Sequence, residues 1–534
     1  MEYGLFACNA QLNTVKDYLN FFYSLFGSFN MYLHSHIAEN NTEHYFRSFE
    51  ALDNLAAHIS STEFSDSSFG DIESVIQEKG QEIIRQLAQG YLCQRAAEEE
   101  KKEFVIGEDG IPRNHRRTGC TRKIESRFGE VEVTRIGYRG RFIGCIFPLD
   151  AELNLPPNKY SHGLQAEIAH LVAVDSFDET LESLERQGGG ILPKRQLQEV
   201  SASIIHDFTE FYKQPIKTSQ EKDNILVITA DGKGVSMHNQ DLRPATKKQV
   251  EQDKKKKKAR LQPGEKKGRK RMATVVSVYE TSPFHRTPEQ ILNIKGEIIP
   301  LRPVIENKRV WAEITEDLGN AIDQGFQEAL RRDPEQKMEW VVLIDGQTDL
   351  IRQVEAQAEK HEVEVTIIQD FIHVIEYLWK AAHALYPEKE NAEKREEWVR
   401  GRTFEILKGN AQRVASGLRR AASRRGLDEK ERKSPDTAAN YIEKNQERLK
   451  YGEALAKGLP IATGVIEGAC RHLVKDRMDL TGARWRLKSA DAVLKLRALK
   501  TSGDLKKYLS FHFWKERCRN YIWMPSADLT PAMI

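Results

Sequence analysis

Asn224-Ile225-Leu226-Val227-Ile228-Thr229-Ala230-Asp231-Gly232-Lys233-Gly234-Val235 is a short apolar, β-branched run that ends on a carboxylate and a glycine. Such a run, too short for a core helix, predicts a buried strand over Ile225–Ala230 that carries one acid at its end. The device recurs at Glu339-Trp340-Val341-Val342-Leu343-Ile344-Asp345-Gly346. Between the two, Ala273–Tyr279 predicts a strand and Trp311 to Arg331 a helix. After Asp345, a helix from about Leu350 to Lys360 leads to a further strand over Val363–Ile368, followed by Gln369-Asp370-Phe371-Ile372-His373. Strands alternating with helices predict an α/β core, with a parallel or mixed sheet covered by helices.

Outward from this core the pattern changes on both sides. Residues 374 to about 458 read as helical and highly charged, with a break at Ser434-Pro435-Asp436. Thr463-Gly464-Val465-Ile466-Glu467-Gly468 then starts a helix that carries a third acid, with Arg471 and Lys475 at four-residue spacing and so expected on its face. Upstream, Lys123–Ile136 alternates apolar and polar residues around Gly129, a β-hairpin pattern within a basic module. Pro148-Leu149-Asp150 is expected to open a loop. Ser176-Phe177-Asp178-Glu179 marks a helix start, and a second helix beginning near Lys194 and Arg195 runs to about Tyr212, so that the pair resembles a helix-turn-helix. Residues 1 to about 100 read mainly as helices, including Ile72–Ala97.

The chain has 534 residues, enough for two to four domains. Hydrophobic residues make up 40% and charged residues 30%, which fits a soluble globular protein. Tyr18–Leu33, the most apolar N-terminal stretch, is too polar and too short to span a membrane and has no cleavage signature. The six cysteines are scattered with no C-x-x-C pair, which points away from a disulfide framework and toward a reducing compartment. A cytoplasmic, nucleoid-associated protein is expected.

The net charge of +2 conceals a strongly basic segment between Lys247 and Arg271. It contains Lys254, Lys255, Lys256, Lys257 and Lys258 in a row, then Arg260, Lys266, Lys267, Arg269, Lys270 and Arg271. A charge run is usually a solvated loop. This one joins the Asp231 strand to the next strand, and a basic loop beside a carboxylate site suits a phosphate-bearing substrate.

Phosphodiester chemistry with two divalent cations needs about three converging carboxylates. Asp231, Asp345 and Glu467 meet that need if two acids sit at adjacent strand ends and the third on a helix packed over them. Asp370 competes with Asp345 for the second place. In a sheet of the ribonuclease H type the fourth strand lies beside the first and the fifth lies further out, which favours Asp345. Asp370 and His373 are then expected to orient substrate or brace the site.

Several motifs taken together resemble the ISKra family of insertion-sequence transposases, over roughly residues 120 to 500. They are Thr229–Val235, Leu343–Gly346, Asp370–Trp379, and Gly464–Arg471 continuing through Arg477, Gly482 and Trp485. Upstream, Phe128–Arg135, Pro148–Asp150 and Tyr160-Ser161 belong to the same resemblance. It implies an Asp-Asp-Glu transposase with a ribonuclease H-like core and a helical insertion before the glutamate. The Asp-x-x-His element is similar to one in Mutator-like transposases, where it is not the second acid. Residues 1 to about 100 fall outside the resemblance, and the Lys254–Lys258 run is more extreme than its pattern.

The expected organisation is a helical region at 1–110, a basic β-hairpin module at 111–150 and a helical, helix-turn-helix-like DNA-binding region at 151–215. The core occupies 220–380, a helical insertion 381–458, the rest of the core with the Glu467 helix 459–500, and a tail 501–534. Asp231, Asp345 and Glu467 are expected to bind two Mg²⁺ or Mn²⁺ ions, cleave DNA at element ends and join the 3′-hydroxyl to target DNA, with no covalent protein–DNA intermediate. DNA is the expected partner, with a homo-oligomer assembling on it and no membrane involved. Arg471, Lys475 and Trp485 are secondary candidates, Trp485 either packing in the core or stacking on an extruded base. The alternative is a catalytically silent DNA-binding regulator or domesticated protein of the same fold.

Overall fold

The computed structural model describes residues 42–188, 192–215, 224–255, 269–294, 298 and 301–523. Tyr18–Leu33 lies outside them. The chain forms two compact units: one draws on residues up to Leu164, Leu181–Ile191 and the segment from Glu516, the other on Gln165–Thr180 and Leu192–Lys515.

The first unit opens with α1 (Phe46–Ile59) and α2 (Phe69–Ala97). Ser68 starts α2 through a capping box: its hydroxyl accepts the Asp71 amide while the Asp71 carboxylate accepts the Ser68 amide. The helix runs through Gly80 without a break. Two short strands follow, β1 (Val105–Ile106) and β2 (Pro112–Arg113), then an antiparallel sheet of β3 (His115–Ser126), β4 (Gly129–Gly140) and β5 (Ile143–Ile146). The hairpin turns at Arg127-Phe128, and Gly129 takes a φ of +105°, which side-chain-bearing residues avoid. Alternation puts Ile124, Val131 and Val133 inward against Leu92 of α2 and Leu149. Pro148-Leu149-Asp150 is not a loop but the start of α3 (Pro148–Glu152), with proline at a position where its missing N–H costs nothing. Asp150 is buried there and takes Arg135 Nη1 at 2.5 Å and Arg122 Nη1 at 3.6 Å. These two arginines, and Arg113 paired with Asp109 at 2.9 Å, serve the unit internally, whereas Arg116 and Arg117 are exposed.

Further along lie α4 (His162–Val172), α5 (Phe177–Arg186), α6 (Lys194–Ile204) and α7 (Phe208–Tyr212). Ser176 caps α5 reciprocally with Glu179. The single helix expected to reach Tyr212 is interrupted between Ile204 and Phe208.

The second unit is built on a five-stranded mixed sheet. In chain order its elements are β6 (Ile225–Ser236), α8 (Pro244–Lys255), β7 (Lys270–Thr281), α9 (Pro288–Ile291), β8 (Ile305–Glu313), α10 (Leu318–Arg332), β9 (Glu339–Ile344), α11 (Thr348–Lys360) and β10 (Thr366–Gln369). The order across the sheet is β10-β9-β6-β7-β8. β7 is antiparallel to both β6 and β8, while β9 is parallel to both β6 and β10. Trp311 belongs to β8, not to the helix expected there; α10 begins only at Leu318, capped by Asp317, which accepts the Asn320 amide.

Both sheet faces are covered, which is why β6 reads as continuously apolar. Ile225, Val227, Val341 and Leu343 join one core with Phe371, Val374 and Leu378 of α12 (Phe371–Leu385). On the other face Gly325 lets α10 lie close, since a Cβ there would meet Val276 Cγ1 at 3.1 Å and Ile228 Cγ2 at 3.4 Å.

The helical insertion continues with α13 (Ala392–Leu407), α14 (Ala411–Arg424), α15 (Glu429–Lys444) and α16 (Tyr451–Ala456). It shares the hydrophobic core of the sheet. The break expected at Ser434-Pro435-Asp436 is absent: Pro435 lies buried within α15, in its second turn. Glu467 sits on α17 (Gly464–Ala469), followed by a π-helical stretch Cys470–Lys475 and by α18 (Asp476–Met478). α19 (Leu487–Thr501) and α20 (Leu505–Asn520) follow, so the described part of the expected tail, as far as Trp523, is largely helical. Among the described residues no helix is long and apolar enough to cross a membrane.

Candidate active site

The β6–β9 ladder ends at Thr229 opposite Leu343. Two residues beyond each partner come Asp231 and Asp345, so the parallel register carries both acids to the same end of neighbouring strands. Asp231 does not end its strand, as the sequence suggests; β6 stays paired with β7 as far as Ser236 opposite Lys270. The acid therefore projects from continuous strand at the point where β9 has run out.

Asp231 has two close partners. Lys233 Nζ lies 2.8 Å from its Oδ2 and Cys470 Sγ lies 3.3 Å from the same oxygen. Burial works against the Lys233 charge, but the hydrogen bond to Asp231 and its negative charge outweigh that and hold the ammonium above its ordinary value. Burial, reinforced by Asp231, pushes the Cys470 thiol up, so it stays protonated and donates. Cys470 is three residues beyond Glu467, which ties the third acid to the first.

Burial pushes the Asp345 carboxyl above the usual range, and the Asp231 charge adds to this, against the Gln347 amide and His373. The Glu467 carboxyl is raised as well, by partial desolvation and then by the charges of Asp370, Glu376 and Asp231. Asp231 thus acts on both other acids. Three carboxylates supply hard-oxygen donors of the kind Mg²⁺ and Mn²⁺ take. The Lys233 ammonium stands in for part of such a cation's positive charge. As the side chains stand, no three His, Cys, Asp or Glu among the described residues converge at ligating distance, and Lys233 occupies one oxygen of Asp231.

A carboxyl raised in the folded state contributes stability below the ordinary carboxylate range that is lost as pH rises through the raised value. Asp345→Asn copies the protonated form and keeps the turn to the Gln347 amide, which Asp345 Oδ1 accepts at 3.1 Å. Without metal, the variant is expected to melt above wild type at pH 7, and the gap to close as pH falls to about 4. Added Mg²⁺ should raise the wild-type Tm and leave that of the variant unchanged. Thermal melts at the two pH values, with EDTA and with MgCl₂, measure both effects.

Asp370 has a different task. It is 3% exposed and caps α12, accepting the amides of Ile372 and His373 at 3.3 Å each and of Thr463 at 3.0 Å. Its oxygens are spent on main chain and bind the Glu467 segment to β10. His373, in the first turn of α12, lies edge-on to Tyr377 and Tyr441.

The other candidates divide. Trp485 is 5% exposed, donates Nε1 to Met478 O at 3.0 Å and packs on Arg477 and Phe177. That is its packing role; base stacking is ruled out by burial. Arg471 and Lys475 are exposed but do not pair with Glu467, because the π-helical stretch after Ala469 breaks the four-residue face; Arg471 turns to Asp476 at 3.7 Å. Lys194 pairs with Asp178 at 2.7 Å and Arg195 with Glu199 at 3.1 Å. Lys254 and Lys255 end α8, while Lys256, Lys257, Lys258, Arg260, Lys266 and Lys267 lie outside the described residues. Arg269 precedes β7, and Lys270 begins it, not a loop. Arg271 is no free phosphate ligand: it donates to the carbonyls of Ile314, Thr315 and Asp241 at 2.7, 3.0 and 3.3 Å.

Lys233 and Cys470 are site residues that sequence patterns missed. Strand alternation puts Lys233 on the side of Asp231, and helical spacing puts Cys470 near Glu467, so both signals were present.

No protein-family model matches the chain, and no curated protein matches it either.

Proposed function

We propose that the chain is a DNA transposase of the Asp-Asp-Glu type, built on a ribonuclease H-like core, that cleaves DNA at element ends and transfers the strand to target DNA. What supports this function above all is that Asp231 and Asp345 lie at the same end of neighbouring parallel strands, with Cys470, three residues beyond Glu467, hydrogen-bonded to Asp231 at 3.3 Å. Support for the core type comes from the strand order, with the fourth strand beside the first and the fifth outside it. The motif resemblance to ISKra-family transposases is consistent with both.

Asp231, Asp345 and Glu467 would hold two Mg²⁺ or Mn²⁺ ions, which supply activation of the attacking oxygen and charge relief at the leaving oxygen. The chain's own residues prepare that state. Cys470 holds Asp231 by its thiol hydrogen. Asp370 holds α12 and the Thr463 amide in fixed relation. Lys233, once off Asp231, presents an ammonium beside the carboxylates, where a backbone phosphate would lie. Exposed Arg471 and Lys475 extend positive charge along the Glu467 segment.

The test is nicking of supercoiled plasmid by the purified full chain. Nicking is expected with Mn²⁺ or Mg²⁺, none with Ca²⁺ or EDTA, and 3′-hydroxyl ends at the nicks. Metal-independent cleavage, or a protein attached covalently to the DNA end, would count against this chemistry.

A further inference from the structure

We infer that Tyr441, on the helical insertion, is a positioning residue for Asp345 and sets where the second carboxylate stands; this rests on the two-metal function proposed above. Asp345 is the first residue past β9, where ladder hydrogen bonds no longer hold the chain. Tyr441 Oη donates to its main-chain oxygen at 2.8 Å and accepts from Gln369 Nε2. Gln369 is fully buried at the end of β10, and its own carbonyl accepts Tyr451 Oη at 2.9 Å. The phenol ring is itself fixed, stacked on Tyr377 with centroids 4.0 Å apart.

The contact continues along one face of the insertion. Lys444 Nζ meets Thr348 Oγ1 at 2.5 Å and Arg448 Nη2 meets Glu355 Oε1 at 2.6 Å. Tyr441 and Lys444, three residues apart on α15, share a helical face, and Arg448 follows in the turn after the helix ends. Only the Tyr441 bond falls on a residue whose side chain is one of the three acids. A tilt of that peptide plane redirects the Asp345 Cα–Cβ bond, and small misplacements of reacting groups are costly.

The experiment uses the full chain and Mn²⁺ as the probe. Binding is followed by the loss of the free-ion paramagnetic resonance signal, and turnover by plasmid nicking. Tyr441→Phe removes the hydroxyl, and with it both hydrogen bonds, and keeps the ring. Its Mn²⁺ titration is expected to shift about tenfold to weaker binding, the range seen when a group behind a metal ligand is lost, with kcat lowered and the KM for DNA unchanged. Lys444→Met, which loosens the same face without touching Asp345, should titrate as wild type. Gln369→Leu, which removes the amide that orients the hydroxyl, should shift in the same direction as Tyr441→Phe and covers the case of a misfolded first variant. If Asp345→Asn loses Mn²⁺ while Tyr441→Phe and Gln369→Leu bind it like wild type, the positioning role is overturned and the metal site stands. If wild type binds no more Mn²⁺ than Asp345→Asn, the metal site itself is wrong and this role falls with it.

Discussion

Asp231→Asn is expected to remove metal-dependent nicking by roughly a thousandfold, or about 4 kcal/mol of transition-state stabilisation, while DNA binding persists. The substitution is nearly isosteric, and the amide oxygen still accepts the Cys470 thiol, so the strand should fold as before. What disappears is the negative charge that Lys233 now neutralises and that raises both Asp345 and Glu467. Lys233 is freed in the variant, so non-specific DNA affinity at low salt should hold or rise slightly. Rates at saturating Mn²⁺ and gel-shift titrations with the same duplex give the two readouts. Equal activity in wild type and variant would remove these carboxylates from the reaction. Equal inactivity with retained DNA binding would favour a catalytically silent DNA-binding protein.

The parts of the core legible in the sequence were those where both sheet faces are buried. Ile225–Ala230 and Val341–Ile344 read as strands because side chains on either face are apolar. The far half of β6 was less visible: Asp231 to Gly234 looks like a turn, yet β7 carries the pairing on to Ser236. β8 escaped because Glu306, Asn307, Lys308 and Arg309 precede its apolar end. The π-helical stretch after Glu467 has no periodicity signal, so a four-residue face was drawn through Arg471 and Lys475 that the backbone does not keep. Lys233 and Cys470 were recoverable from local spacing. Tyr441 was not, since its link to Asp345 arises only when the insertion folds back on the sheet.

Gly346→Ala tests that fold-back from the other side and is expected to destabilise the second unit by about 2–5 kcal/mol. Gly346 has a φ of +82°, a conformation that costs a residue bearing a Cβ roughly 1–2 kcal/mol. A Cβ there would also collide with the Gln369 side-chain amide, and overpacking of this kind costs about 1–3 kcal/mol. Gly409 separates the two effects. It has nearly the same φ, +86°, but a Cβ there would meet nothing within 4 Å. Gly409→Ala should therefore show the backbone penalty alone, and Mn²⁺ binding should be untouched. In Gly346→Ala the displaced Gln369 amide gives up Tyr441, so urea unfolding moves to lower denaturant and the Mn²⁺ titration weakens together. Equal destabilisation by the two substitutions would mean that Gln369 does not rest over Gly346. The link between the insertion and Asp345 would then need another path, because Tyr441 would have lost the donor that orients its hydroxyl.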